Sequence, residues 1–201
     1  MLIENPSNTK DEMSDSETPM NIEAGRFGQG GKKLDEVIVP KKGEERSLRD
    51  AMGKFATGVT IVTVKTENGP VGMTVNSFAS VSLDPALVLW SIEKKSGRYS
   101  AFTEAEHFGI HVLDESQADL ALEFARNANA FDNCAWHTNE MGVPMVEGVL
   151  SRFECKRAAL HEGGDHTIIV GEVLQYGFRY GEPLVFASGK FGVFGGMGTK
   201  D

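Results

Sequence analysis

The sequence predicts a mainly β protein, in which antiparallel strands form a barrel and short helices lie between some of them. At least six runs rich in β-branched and aromatic residues follow one another along the 201 residues. Turn residues join several of these runs at hairpin spacing. This hairpin order favours an antiparallel barrel over a doubly wound sheet, in which strands and helices alternate.

Residues 1–45 have the composition of a polar, flexible tail. They hold scattered charges, Pro6, Pro19 and a cluster of glycines, and only Val37–Val39 could pair as a short strand. One domain is expected at residues 46–194, followed by a flexible C-terminal tail at residues 195–201. A domain of this size has a core large enough to need no disulfide or structural metal.

The first expected element is a helix that Ser47 caps and that ends at Gly58. Its apolar residues recur at helical spacing, namely Leu48, Ala51, Met52 and Phe55. A hairpin is expected next, because Val59–Lys65 and Val71–Val75 flank a turn at residues 67–69.

Strands and helices are expected to follow in mixed order after a polar bend at residues 76–85. The expected strands are Leu87–Ile92, His107–Leu113, Ser151–Leu160, His166–Phe178 and Leu184–Ala187. The expected helices are Arg98–Glu106 and a segment opened by Asp114 and Gln117, with Leu120, Ala121, Phe124 and Ala125 on one side. Asn127–Met145 is a long connection, and a glycine-rich segment begins at Gly192.

The composition narrows the class of protein and its partners. Hydrophobic residues make up 40% and charged residues 24% of the chain, which is ordinary for a soluble protein. A net charge of −9 argues against nucleic acid or an anionic membrane as the main partner. The sequence has no membrane-length apolar run and no secretory signal, while Cys134 and Cys155 fit no metal-binding spacing. We therefore expect reduced thiols and a cytoplasmic location.

The polar bend and the strand before it carry the densest group of hydrogen-bonding side chains. The candidate binding residues here are Thr74, Val75, Asn76, Ser77, Phe78, Ser80, Val81 and Ser82. Hydroxyl, amide and backbone N–H groups suit a polar ligand that has carbonyls, ring nitrogens or phosphate. A turn that satisfies its own backbone is the alternative, and a ligand site is the better-supported interpretation.

Other polar and aromatic residues are also candidates for binding. Lys95 and Ser96 precede a helix and could bind phosphate, although a capped, solvated helix start is more common. The sequence from His161 to His166 is no zinc motif, because its histidines are five apart and glycines interrupt it. Its Asp165 and His166 still form a plausible polar site. Phe191 could cover a planar ring, whereas Phe186 is expected to pack in the core.

Several of these stretches together resemble the flavin reductase-like family, which has the FMN-binding split-barrel fold. The matching stretches are Ala51–Val59, Gly72–Phe78, Ser80–Pro85, Gly164–Thr167 and Gly171–Val173, within about Leu48 to Phe191. The resemblance implies a homodimer of split barrels that binds FMN or FAD.

The resemblance also implies roles for the candidate residues. The flavin ring would lie near Thr74–Phe78, with Thr57 and Phe191 also contributing to the flavin site. Ser80–Ser82, together with Lys95 and Ser96, would hold the ribityl-phosphate end. Asp165 and His166 match a Gly-Asp-His motif that the family uses for NAD(P)H, so His166 is expected to contact the nicotinamide.

The expected function is that of an NAD(P)H:flavin oxidoreductase that supplies reduced flavin to a separate monooxygenase. The hydride passes from NADH or NADPH to FMN or FAD, and the sequence leaves both choices open. A tight FMN-binding electron carrier or sensor without nicotinamide turnover is the alternative. A relative with an empty flavin site is a third possibility.

Overall fold

The computed structural model describes residues 34–195. The chain divides between Val39 and Pro40 into two units. Residues 34–39 contain no helix or strand, so the short strand allowed at Val37–Val39 is not formed. Most of the predicted N-terminal tail, and residues 196–201 of the C-terminal tail, lie outside the described residues.

The second unit holds all the helices and strands of the described part. The α-helices are α1 (Glu45–Met52), α2 (Tyr99–Glu104) and α3 (Ala118–Arg126), and the 3-10 segments are Glu115–Gln117 and Ala130–Asn133. The strands are β1 (Thr57–Gly58), β2 (Thr60–Thr66), β3 (Gly69–Val75), β4 (Ala79–Leu83), β5 (Ala86–Glu93), β6 (His107–Val112), β7 (Trp136–Thr138), β8 (Pro144–Val146), β9 (Ser151–Gly163), β10 (His166–Phe178), β11 (Leu184–Ala187) and β12 (Lys190–Val193).

Seven strands form one antiparallel sheet in the order β3-β2-β6-β9-β10-β5-β4. The sheet curls on itself, because strands from its two halves contribute to one core around Trp90. The hydroxyl of Ser77, just after β3, donates to Ser91 O on β5 at 3.2 Å and accepts from Ser91 N at 3.0 Å. These bonds close the curl where no strand ladder joins β3 to β4.

Two hydrophobic clusters stabilise this arrangement. Trp90 lies inside the curled sheet, with the rings of Phe102 and Phe108 edge-on at 5.3 and 6.2 Å. The second cluster joins α3 to β2 and β11, and it includes the perpendicular rings of Phe124 and Phe131, 5.0 Å apart. Burial of these large aromatic surfaces supplies much of the free energy that holds the helix on the sheet.

The first helix differs from its prediction in length and in burial. It begins at Glu45 and ends at Met52, where Gly53 N donates to Arg49 O at 2.8 Å. It does not reach Gly58, because Thr57 and Gly58 pair with β11 as a strand. None of its residues is buried, and Phe55, which follows it, is 78% exposed. The apolar spacing therefore predicted the helix but not its exposed apolar face.

The polar bend also proved shorter than predicted. Its second half forms β4, which pairs with β5 at the edge of the large sheet. Sequence patterns likewise missed β12, in the glycine-rich segment, and the β7–β8 hairpin inside the long connection. These strands have three to five residues, so long-range pairing decides them more than composition does.

Candidate active site

A cavity of about 370 Å³ lies at the end of β3. Its walls come from β3, from α3 and from the hairpin formed by β11 and β12. Ten residues line it, namely Val59, Thr74, Val75, Asn76, Ala121, Leu122, Ala125, Phe186, Gly189 and Phe191. The cavity thus brings Phe191 together with Thr74, Val75 and Asn76, four of the residues predicted from the sequence.

Helix α3 is held against β3 at this cavity. The Thr74 hydroxyl donates to Ala121 O at 2.6 Å. Asp114 and Gln117 form the predicted capping box before the helix. The backbone N–H of Ser116 and its hydroxyl donate to the Asp114 carboxylate, and Arg179 adds a further bond, so the pKa of Asp114 lies below its usual value. The helix therefore has a defined start as well as a defined distance from β3.

The β11–β12 hairpin presents two phenylalanines to the cavity. The ring centroids of Phe186 and Phe191 are 5.4 Å apart, with the planes tilted by 61°. Ser188 and Gly189 make the tight turn, both with positive φ, and Ser188 N donates to Gly53 O at 2.7 Å. Phe186 packs in the second cluster, as expected for a core residue, and it also lines the cavity.

The turn between β9 and β10 carries Asp165 and His166. Gly164 takes a positive φ of 71°, which a residue without Cβ adopts at little cost. The distance from His166 Nδ1 to Asp165 Oδ1 is 2.8 Å. This hydrogen bond is the main reason that the pKa of the Asp165 carboxyl is lowered. The carboxylate accepts a hydrogen bond from Nδ1–H and so fixes the orientation of the imidazole ring.

The loop after β5 contacts this turn directly. Lys94 N donates to Asp165 O at 2.9 Å, and Lys94 Nζ donates to Gly164 O at 2.8 Å. Lys95 and Ser96 follow, and the Ser96 hydroxyl accepts from Arg98 N at 3.2 Å. Lys95 and Ser96 therefore share one end of the sheet with Asp165 and His166, the predicted nicotinamide residues.

The cavity and this turn lie at the same rim of the barrel. Asn76 precedes Ser77, which is bonded to Ser91 on β5. Two residues further along β5, Glu93 pairs with His166 on β10. Two residues of a strand span about 7 Å, so the cavity at the end of β3 and the Asp165–His166 turn are neighbours.

The remaining predicted residues have other contacts. Phe78 packs on Phe153 with 5.6 Å between ring centroids. Ser80, Val81 and Ser82 lie on the edge strand β4, where Ser80 pairs with Val88 and Ser82 with Leu87, towards the end of β5 opposite Glu93. The predicted grouping of these residues with Lys95 and Ser96 at one end of the sheet is therefore not found. Thr57, on β1, pairs with Phe186, and its buried hydroxyl has no hydrogen-bond partner in the structure.

Sequence reasoning missed part of the cavity wall. Leu122 and Ala125 of α3 line the cavity, although neither was among the predicted site residues. The signal available in the sequence was Leu122 itself, a large apolar residue outside the predicted apolar side of α3.

The residues of the cavity fit the isoalloxazine ring of a flavin. Its walls are largely apolar and partly aromatic, which suits a flat conjugated ring, and Asn76 at the exposed end offers an amide. Lys95 and Ser96, at the same rim, suit the phosphate of a nucleotide.

Among residues 34–195, no group of three or more His, Cys, Asp or Glu side chains could hold a metal ion. Within the same range, no helix has both the length and the apolarity to cross a membrane.

A curled antiparallel sheet with this cavity and turn at one rim is a split barrel, and its cavity suits the planar ring of a flavin nucleotide. The family described as "Flavin reductase like domain" matches residues 52–195, and the chain belongs to it. The fold and the family expected from the sequence are thereby confirmed.

Curated relatives cover most of the chain. The FMN reductase (NADH) SmoA of Agrobacterium fabrum is 58% identical over 160 residues, which are 80% of this chain and 92% of that protein. The NADH-dependent flavin reductase of a Rhodococcus species is 43% identical over 79% of this chain and 89% of that protein. The reductase component of the flavin-dependent trigonelline monooxygenase of Acinetobacter baylyi is 47% identical over 64% of this chain, which spans 42% of that protein.

A solved structure has the same fold. The NADH:FAD oxidoreductase of Streptomyces globisporus, in complex with NAD and FAD fragments, superimposes with a TM-score of 0.74 and 37% identity. The match covers 79% of this chain and 98% of that one.

Proposed function

We propose that this chain is an NADH-dependent flavin reductase that supplies reduced FMN or FAD to a separate monooxygenase. One observation carries the proposal: the apolar, aromatic cavity and the Asp165–His166 turn are neighbours at one rim of the split barrel. The relatives' names support it, because they include NADH-dependent flavin reductases and a monooxygenase reductase component. A bound flavin would supply the ring that accepts the hydride.

The residues of the chain act in this proposal by positioning. Thr74, Val75, Asn76 and Phe191 hold the ring, while Thr57 lies beside them on β1. Ser77 acts indirectly, since its hydroxyl holds the bend against β5 and so keeps Asn76 at the rim.

The phosphate end of the flavin belongs to the neighbouring part of the rim. Lys95 offers a positive charge there, and Ser96 lies beside it. Ser80, Val81 and Ser82 are the proposed contribution of the edge strand β4 to ligand binding, while Phe78 packs on Phe153.

His166 is the proposed contact for the nicotinamide. Asp165 accepts the Nδ1–H bond, which leaves Nε2 available for the carboxamide. No acid or nucleophile is needed for hydride transfer, so the two residues contribute orientation.

A homodimer and a cytoplasmic location are also part of the proposal. Leu174, Tyr176 and Phe178 alternate along β10 and are exposed, Phe178 by 73%. An apolar strip of this kind on a sheet favours burial against a second copy. The two cysteines are free thiols, which suits a reducing compartment.

NADH oxidation with and without added FMN, FAD and riboflavin tests the proposed function. We expect turnover that requires added flavin and is faster with NADH than with NADPH. A yellow protein that is inert to NADH would instead identify the electron carrier or sensor. Light scattering of the same sample measures the oligomeric state.

A further inference from the structure

Arg98 ties together three parts of the chain that surround the candidate site. Its Nη1 donates to Phe124 O at 2.6 Å and to Gly72 O at 3.2 Å, and its Nη2 donates to Ala125 O at 3.3 Å. Among the described residues, the guanidinium thus bonds backbone carbonyls alone, at a partly buried position.

Two of these carbonyls belong to the last turn of α3. The carbonyls at the end of a helix have no partner within the helix, and a cation there is favoured by the helix dipole. The third carbonyl belongs to Gly72 on β3, two residues before Thr74. Helix α3 is therefore attached to β3 at two places, through the Thr74 hydroxyl and through Arg98.

Arg98 also holds its own segment, the loop that carries Lys95 and Ser96. Its backbone N–H donates to the Ser96 hydroxyl, and Tyr99 N donates to Ser96 O at 3.0 Å. Arg98 thereby connects the Lys95–Ser96 loop, at the proposed phosphate end of the site, to β3 and α3, which form two walls of the cavity.

We propose that Arg98 is a positioning residue for flavin binding, which sets the distance between the Lys95–Ser96 loop and the cavity wall formed by α3. The inference rests on the proposed function, since it assigns the cavity to the flavin ring. Arg98 touches the flavin at no point in this scheme. Its effect is transmitted through α3, whose Ala121, Leu122 and Ala125 line the cavity.

The test substitutes Arg98→Met, which keeps an apolar, unbranched stem and removes all the guanidinium donors. We expect the flavin Kd, measured by fluorescence titration, and the flavin KM to rise about tenfold, which corresponds to about 1.4 kcal/mol. At saturating flavin, kcat and the KM for NADH should stay within twofold of the wild-type values.

Arg157→Met is the matched control. Arg157 on β9 also donates from Nη1 to a carbonyl at a helix end, that of Thr103 in α2, and it does not line the cavity. This variant should lose stability and keep the wild-type flavin Kd.

A flavin Kd within twofold of wild type in Arg98→Met, or an equal rise in Arg157→Met, would overturn the assignment. If Arg98→Met does not fold, Arg98→Lys replaces it. A lysine keeps the charge but cannot bridge three carbonyls, so an intermediate Kd is expected, and an unchanged Kd contradicts the inference. Failure of the proposed function is recognised separately, by a wild-type protein that neither binds flavin nor oxidises NADH.

Discussion

The buried histidine on β6 allows a quantitative prediction about stability and pH. His111 is fully buried, and Val146 N donates to its Nε2 at 3.1 Å. Since Nε2 accepts, the proton of the neutral ring is on Nδ1, which donates to Ile61 O at 3.0 Å. The ring thus joins β6 to β2 and β8 in its neutral form, and protonation of Nε2 would break the bond to Val146.

Burial lowers the pKa of His111 from 6.5 to about 4; the hydrogen bond to Ile61 O opposes this shift, and the charge of Arg152 adds to it. The neutral ring is favoured in the folded state, so its contribution to stability is complete above pH 6.5. It is lost as the pH falls from 6.5 towards 4, where the unfolded chain takes up a proton and the folded chain does not. At about 1.4 kcal/mol per pKa unit, the loss is about 3 kcal/mol.

Urea unfolding between pH 4 and pH 7.5 measures this loss in the wild type and in His111→Gln. Glutamine can accept from Val146 N and does not titrate. As the pH falls over this range, the free energy of unfolding of His111→Gln should therefore decrease by about 3 kcal/mol less than that of the wild type. Carboxylates that titrate in acid affect both proteins and cancel in the difference. His161→Gln, at an exposed histidine on β9, is the control and should match the wild type. Parallel curves for the wild type and His111→Gln would refute the reasoning.

Three further substitutions follow from contacts near the site. Gly72→Ala places its Cβ 2.4 Å from Phe124 Cε1 and should lower the free energy of unfolding by about 1–3 kcal/mol in urea titrations. Ser77→Ala leaves both backbone groups of Ser91 without this partner, and thermal or urea unfolding should show a loss of about 1–3 kcal/mol. His166→Ala should raise the KM for NADH roughly fivefold and leave the flavin Kd unchanged, in steady-state kinetics paired with flavin titration.

Each of these substitutions has a control or a contradicting result. Gly97→Ala introduces a Cβ with no atom within 4 Å, so it should unfold close to the wild type. A Ser77→Ala protein of wild-type stability would show that the bonds to β5 are dispensable. Equal losses of flavin and NADH affinity in His166→Ala, together with a lower Tm, would remove His166 from the nicotinamide site.

Local patterns in the sequence determined the β2–β3 hairpin, the start of α3 and the family motifs. The β2–β3 hairpin follows from β-branched runs around a turn at residues 67–69, and the capping box follows from the spacing of Asp114 and Gln117. Such features depend on interactions between residues close in the chain, which a sequence displays directly. The motifs from Thr74 to Phe78 and at Asp165–His166 could also be recognised in the sequence, because each is a contiguous stretch.

Only the tertiary structure decided which distant residues meet at the rim. The pairing of Thr57 with Phe186, the contact of Leu122 with the cavity and the three carbonyls on Arg98 all join segments far apart in the chain. The same holds for α1, whose spacing predicted a helix while its apolar face stayed exposed. Local propensity sets the conformation of a segment, whereas the partner of each face depends on how the whole sheet curls and packs.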